Sequence, residues 1–111
     1  LYINARVVSV DAFQTQTGTS YTPVIGDRGY IITMNNGSAS TLTVPPNSSE
    51  AFAVGNSMRV VQLGAGQVTI VAGSGVTLRY TPGLKLRAQY SSVTLTKIAT
   101  DEWIVIGDLD D

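Results

Sequence analysis

The chain has 111 residues, a formal net charge of −1, and 14% charged against 43% apolar residues, so it is one domain's length with a neutral, Thr- and Ser-rich surface. That balance excludes the dense basic face a nucleic-acid binder needs to displace counterions from phosphate. The absence of Cys and His removes disulfides, thiolate and imidazole chemistry, and the metal sites built on those ligands.

In chain order, the first expected strand covers residues 6–10, extending back towards residue 2. Residues 14–20, Q-T-Q-T-G-T-S, read as a polar loop without a core residue. Residues 21–25 form a short strand that Pro23 pushes towards an edge, and Gly26-Asp27 turns the chain. Residues 28–34 are a strand ended by Asn35-Asn36-Gly37, where Asn and Gly accept positive φ cheaply. Residues 39–44 alternate, with Leu42 and Val44 on one face and Thr41 and Thr43 on the other. The run Pro45-Pro46-Asn47-Ser48-Ser49 then breaks the sheet. Beyond it the chain makes either one helical turn through Ala51 and Phe52, capped by Ser48 or Ser49 and ended by Gly55, or a surface loop.

Residues 57–63, 67–72, 76–80, 84–89, 91–98 and 103–106 are further strands. The connections between them are Gly64-Ala65-Gly66, Gly73-Ser74-Gly75, Thr81-Pro82-Gly83 and, last, the turn through Asp101-Glu102. The glycine-rich ones have the composition of tight hairpin turns. Residues 107–111 read as an acidic tail. About ten short strands with turn signals every 8–12 residues predict an all-β fold, an antiparallel β-sandwich or barrel with tight Gly turns. The alternation assigns Leu42, Val44, Phe52, Val54, Met58, Val60, Val68, Ile70, Val76, Leu78, Leu86, Val93, Leu95, Trp103 and Val105 to the core. Ile32, Val61, Val71, Ile104 and Ile106 fall on the opposite face and suggest that part of it is covered.

Little chemistry is legible. The Gly-x-Gly segments are followed by strand patterns, whereas a phosphate loop requires a helix N-terminus. Asp101 and Glu102 are adjacent at a turn, a poor geometry for paired acid–base catalysis. Asp108, Asp110 and Asp111 lack the spacing of an ordered calcium loop and read as a solvated tail. No catalytic residue, metal ligand or cofactor site is assigned. Trp103 sits in an apolar strand and belongs to the core. Tyr80 and Tyr90 flank turns and are the candidate ligand-binding residues, because an exposed ring matches the apolar face of a sugar. Arg79, Lys85, Arg87 and Lys97 make the later strands mildly basic, as a solvated face or as partners for acids of a neighbouring chain.

The segment Thr41-Leu42-Thr43-Val44-Pro45-Pro46-Asn47-Ser48-Ser49, then Phe52-Ala53-Val54-Gly55, then Val60-Val61-Gln62-Leu63-Gly64-Ala65-Gly66-Gln67-Val68-Thr69-Ile70 resembles a β-rich module of tailed-bacteriophage virion proteins. Gly73-Ser74-Gly75-Val76-Thr77-Leu78-Arg79, Leu84-Lys85-Leu86-Arg87-Ala88-Gln89-Tyr90 and Ala99-Thr100-Asp101-Glu102-Trp103 extend the likeness over residues 21–109. Arg59 departs from it, standing where a less charged strand is expected. The resemblance implies a non-enzymatic structural component on the virion surface, a tail-fibre or tail-tip domain contributing to host attachment. The alternative is a head decoration or capsid-fibre protein. Implied partners are copies of itself as a homotrimer, other virion proteins and a host surface glycan or protein, with no nucleic acid and no membrane insertion. A polysaccharide depolymerase fragment is the enzymatic alternative. Residues 1–20 lie outside the likeness and are expected to connect residues 21–111, the β module, to the rest of a fibre or particle. The chain starts on Leu1 rather than Met, which fits a piece of a longer polypeptide.

Overall fold

The structure, a computed structural model, describes residues 12–111. The strand expected at residues 6–10 lies outside them. The described residues form eleven strands: β1 (Ala12–Gln16), β2 (Ser20–Tyr21), β3 (Tyr30–Met34), β4 (Ser40–Val44), β5 (Ser57–Gln62), β6 (Val68–Ala72), β7 (Thr77–Arg79), β8 (Lys85–Leu86), β9 (Ser92–Ala99), β10 (Glu102–Gly107) and β11 (Leu109–Asp110). A 3-10 turn at Ile25–Asp27 is the one helical element among the described residues.

The fold is all-β, as the composition implies, but its sheets are mixed. A six-stranded sheet runs β1-β3-β5-β9-β10-β7, and a five-stranded sheet runs β11-β8-β6-β4-β2. The chain crosses from one sheet to the other at each of the first eight connections. The first six strands therefore wind as three stacked coils, a β-solenoid, with β1, β3 and β5 parallel in one sheet and β2, β4 and β6 parallel in the other. Then the direction reverses: β8 runs antiparallel to β6, and β9 antiparallel to β5. Only β9 and β10, joined through Thr100 and Asp101, make a hairpin between chain neighbours.

This corrects the expected antiparallel sandwich or barrel, since five of the nine pairings are parallel. It also corrects the glycine turns. Gly64-Ala65-Gly66 joins strands of different sheets, as does Gly73-Ser74-Gly75, so these are coil corners and not hairpin loops. A Cβ on Gly66 would lie 1.9 Å from the Ser38 carbonyl oxygen, and one on Gly64 2.5 Å from the backbone of Asn36. Neither glycine has positive φ. Glycine is needed there because one corner rests directly on the corner beneath, with Gly66 N–H donating to Asn36 O at 2.9 Å.

Of the polar run expected as a loop over residues 14–20, residues 14–16 belong to β1, which pairs with β3 over all five of its residues, while residues 17–19 do connect strands and Ser20 opens β2. Of the connector expected over residues 1–20, the described part joins both sheets through β1 and Ser20. Where a helical turn was the alternative at Ser48 and Ser49, the chain makes one non-helical turn, with Ser49 and Glu50 N–H both donating to Pro46 O. The expected acidic tail is β11, with Leu109 buried against β8.

One core fills the space between the sheets. Ile32, Met34, Leu42, Val44, Phe52, Met58, Val60, Val68, Ile70, Leu78, Leu86, Val93, Leu95, Trp103, Val105 and Leu109 are buried in it. Trp103 and Phe52 meet edge to face, with ring centroids 5.2 Å apart. Ile32 belongs to this set, not to the outer face, because β3 alternates with Ile31 and Thr33 outward. Val54 is exposed instead of buried, since it lies in the β4–β5 connection and not in a strand, and Val76 only packs against the rim of the core.

Candidate functional site

Tyr80 and Tyr90 are both exposed, Tyr80 just beyond β7 and Tyr90 in the turn before β9 with φ of 75°. Among the described residues no ring contact joins them. Most ionisable groups serve the fold. Glu102 pairs with Arg79 at 2.8 Å, and Asp101 accepts the Asn47 N–H at 2.6 Å. Asp108 accepts a two-pronged contact from Arg87 at 2.9 Å and the Ser91 hydroxyl at 2.6 Å. The guanidinium first, and then the hydroxyl, hold the Asp108 carboxyl below its ordinary range. Among the described residues no three acidic side chains gather as a metal would require.

Two buried polar clusters lock the coils. In the first coil, Asp27 accepts from Gln14 Nε2, from the Tyr21 hydroxyl at 2.5 Å and from Val24 N–H at 3.0 Å. Gln16 Nε2 donates to Gln14 Oε1 beside it. Burial, with the Asp27 contact next, raises the Tyr21 phenol above its ordinary value. In the second cluster Lys97, expected on a solvated face, is buried. The bulge at Glu102/Trp103 marks where the β9–β10 ladder turns beside it. Its ammonium donates to Asn47 Oδ1 at 2.6 Å and to Phe52 O at 2.7 Å, which ties the β4–β5 connection to β9. These side chains have a structural task already.

The outer face of the six-stranded sheet does not. Its register aligns Phe13, Ile31, Arg59, Thr94 and Ile106 in one row across five adjacent strands. Phe13 and Ile106 are each 61% exposed, far above what a packed face leaves open. Arg59 is exposed, and among the described residues it makes no ion pair. Its flanking partners across the strands are Ile31 and Thr94, both neutral. A groove of about 250 Å³ opens at this row, lined by Gly29, Tyr30, Ile31, Ser57, Met58, Arg59 and Thr94. The gap follows from the sequence: Gly29 N–H donates to Ser57 O at 2.7 Å, so the row next to Arg59 begins with a residue that has no side chain. A Cβ at Gly29 would meet nothing within 4 Å. On the five-stranded sheet the outward positions of β4 and β6 are Thr41, Thr43, Thr69 and Val71, with the exposed Lys85 of β8 in register with Thr69.

Sequence reasoning missed this site. The one signal for it was Arg59 itself, a charge breaking an otherwise neutral strand pattern. Compared with known proteins, the chain matches no family model and no curated protein.

Proposed function

We propose that the chain is a non-enzymatic structural module of a tailed-phage particle, placed on the virion surface as a tail-fibre or tail-tip domain and contributing to host attachment. One observation carries the reading. A stacked two-sheet coil, closed inside by a continuous core, leaves a broad sheet face outward whose exposed Phe13, Arg59 and Ile106 make no ion pair or ring contact among the described residues. Exposed apolar side chains grouped on one face mark contact surfaces. The sequence likeness over residues 21–109 supplies the virion context. Catalysis is not part of the proposal, because Asp101 and Glu102 are spent on Asn47 and Arg79.

The proposed assembly is a homotrimer docked to other virion proteins. Val54 and Ile98, both exposed, lie beside each other, since Gly55 N–H donates to Lys97 O at 2.8 Å. Ile98 is four residues beyond Thr94, about 13 Å along the strand at roughly 3.3 Å per residue. Replacing both residues by Lys is expected to shift the assembly to monomer in light scattering, and a monomer before substitution refutes the trimer.

The functional test is cryo-EM or immunogold labelling of intact particles. Density on the tail supports the reading. Density over the head transfers the module to the decoration alternative, and a chain inside the capsid or on no particle overturns both.

A further inference from the structure

We propose that the groove beside Arg59 binds a carboxylated sugar residue, a hexuronate of an acidic surface glycan. The proposal rests on the attachment reading for the source of the ligand and on the groove alone for its chemistry. Arg59 supplies a guanidinium that makes no ion pair among the described residues and whose planar fork matches a carboxylate. Its neighbours in register are an aliphatic side chain, Ile31, and a hydroxyl, Thr94, and the Ser57 hydroxyl borders the same space. Phe13 lies one strand beyond Ile31. Strands are about 4.8 Å apart, so the backbone positions of Phe13 and Arg59 stand about 10 Å from each other across Ile31, and Phe13 lies outside the groove lining. One pyranose ring fits the groove, its apolar face on Ile31, its carboxylate on Arg59, and its hydroxyls towards Ser57 and Thr94.

Size agrees with that occupant. The groove of about 250 Å³ falls below the roughly 300–1,000 Å³ of sites for drug-sized ligands. A neutral sugar would leave Arg59 unpaired, and a bare anion would leave the apolar flank uncovered. The fold requires neither feature. The two residues inward of Arg59's strand position, Met58 and Val60, carry the packing of β5.

The test is a titration of the ¹⁵N-labelled chain with sodium glucuronate, followed by amide chemical shifts. Glucose and sodium acetate are the two control arms. A Kd of about 1 mM is expected for so few ligand atoms, with the shifts centred on Gly29, Ile31, Arg59 and Thr94. Glucose and acetate should each bind at least tenfold more weakly. Arg59→Gln should weaken glucuronate at least tenfold with Tm unchanged, since the side chain is exposed. Thr94→Val should weaken it several-fold. No saturation at fifty times the expected Kd overturns the proposal, as does an equal response to acetate or to glucose. Failure here with density for the chain on the virion removes the ligand and keeps the particle assignment. Binding here with no density on any particle keeps the groove and removes its role in attachment.

Discussion

Gly66→Ala is the sharpest probe of the coil. The new Cβ would lie 1.9 Å from Ser38 O and 2.8 Å from Asn36 O. Relieving the first contact to 3.0 Å moves the two corners apart by more than 1 Å. That displacement breaks the 2.9 Å hydrogen bond from Gly66 N–H to Asn36 O and strains the adjacent one from Ser40 N–H to Gln67 O. Overpacking of this kind costs about 1–3 kcal/mol, and a lost backbone hydrogen bond about 1 more. The expected loss is about 2–4 kcal/mol, or roughly 8–16 °C in Tm at this chain length. Two other glycines calibrate the measurement. Gly75 has φ of 77° and open space around its Cβ position, so Ala there pays only backbone strain, about 1–2 kcal/mol. Gly26 has open space and no positive φ, so Ala is neutral or stabilising by about 0.4–1 kcal/mol. Urea unfolding followed by circular dichroism ranks the three. If Gly66→Ala is as mild as Gly26→Ala, the corners do not touch and the stacked coil is wrong. A hairpin at this segment would give no special penalty at a glycine with ordinary φ.

Two further outcomes are expected. Lys97→Ala leaves the Phe52 carbonyl and Asn47 without their buried donor and opens a cavity, and should cost about 3–5 kcal/mol. Lys97→Met keeps the stem volume and removes a buried charge, and should cost about 1–3 kcal/mol by the same unfolding assay; a Met variant as damaged as the Ala variant would refute the account. Asp108 has a carboxyl pKa depressed by Arg87 and Ser91. Its contribution to stability is therefore present above the ordinary carboxylate pKa of about 3.9 and is lost as the pH falls through the lower folded value. Carboxyl ¹³C NMR should show Asp108 titrating below the ordinary aspartate value of about 3.9, and Arg87→Gln should raise it towards that value, with the Ser91 hydroxyl still holding part of the depression.

The inward half of the fold was legible, and its path was not. Period-two alternation located Leu42, Val44, Met58, Val60, Val93 and Leu95 because each strand buries one face only. It failed at Ile32, where Tyr30, Ile31 and Ile32 are all apolar enough to satisfy either register. It also failed at β1, whose inward residues are Gln14 and Gln16. Glutamine reads as loop unless its partners are known, and they come from Tyr21 and Asp27. The coil itself left no period to detect. Ala12 to Tyr30 is 18 residues and Tyr30 to Ser57 is 27, so successive rungs of one sheet start at unequal spacing. Gly-x-Gly fits a hairpin and a corner alike. Close approach between segments about 30 residues apart distinguishes the two, and composition does not carry that information.

The same division explains why Arg59 stands out. The buried or paired cations in the described part of the fold answer a local demand: Lys97 closes two carbonyl oxygens, Arg79 meets Glu102, and Arg87 meets Asp108; Lys85, like Arg59, is exposed and makes no ion pair there, but it does not line the groove. Stability dictates the inward residues of β5 and the corner glycines around it, because a single methyl group there collides with backbone. At position 59 it dictates only a side chain compatible with Ile31 and Thr94 on a sheet surface, for which Thr or Val would serve at least as well. A charge held between neutral neighbours, next to a gap created by a glycine, finds no counter-ion among the described residues. Its interaction energy is left to be realised with something from outside, and the only sign that completes it is negative.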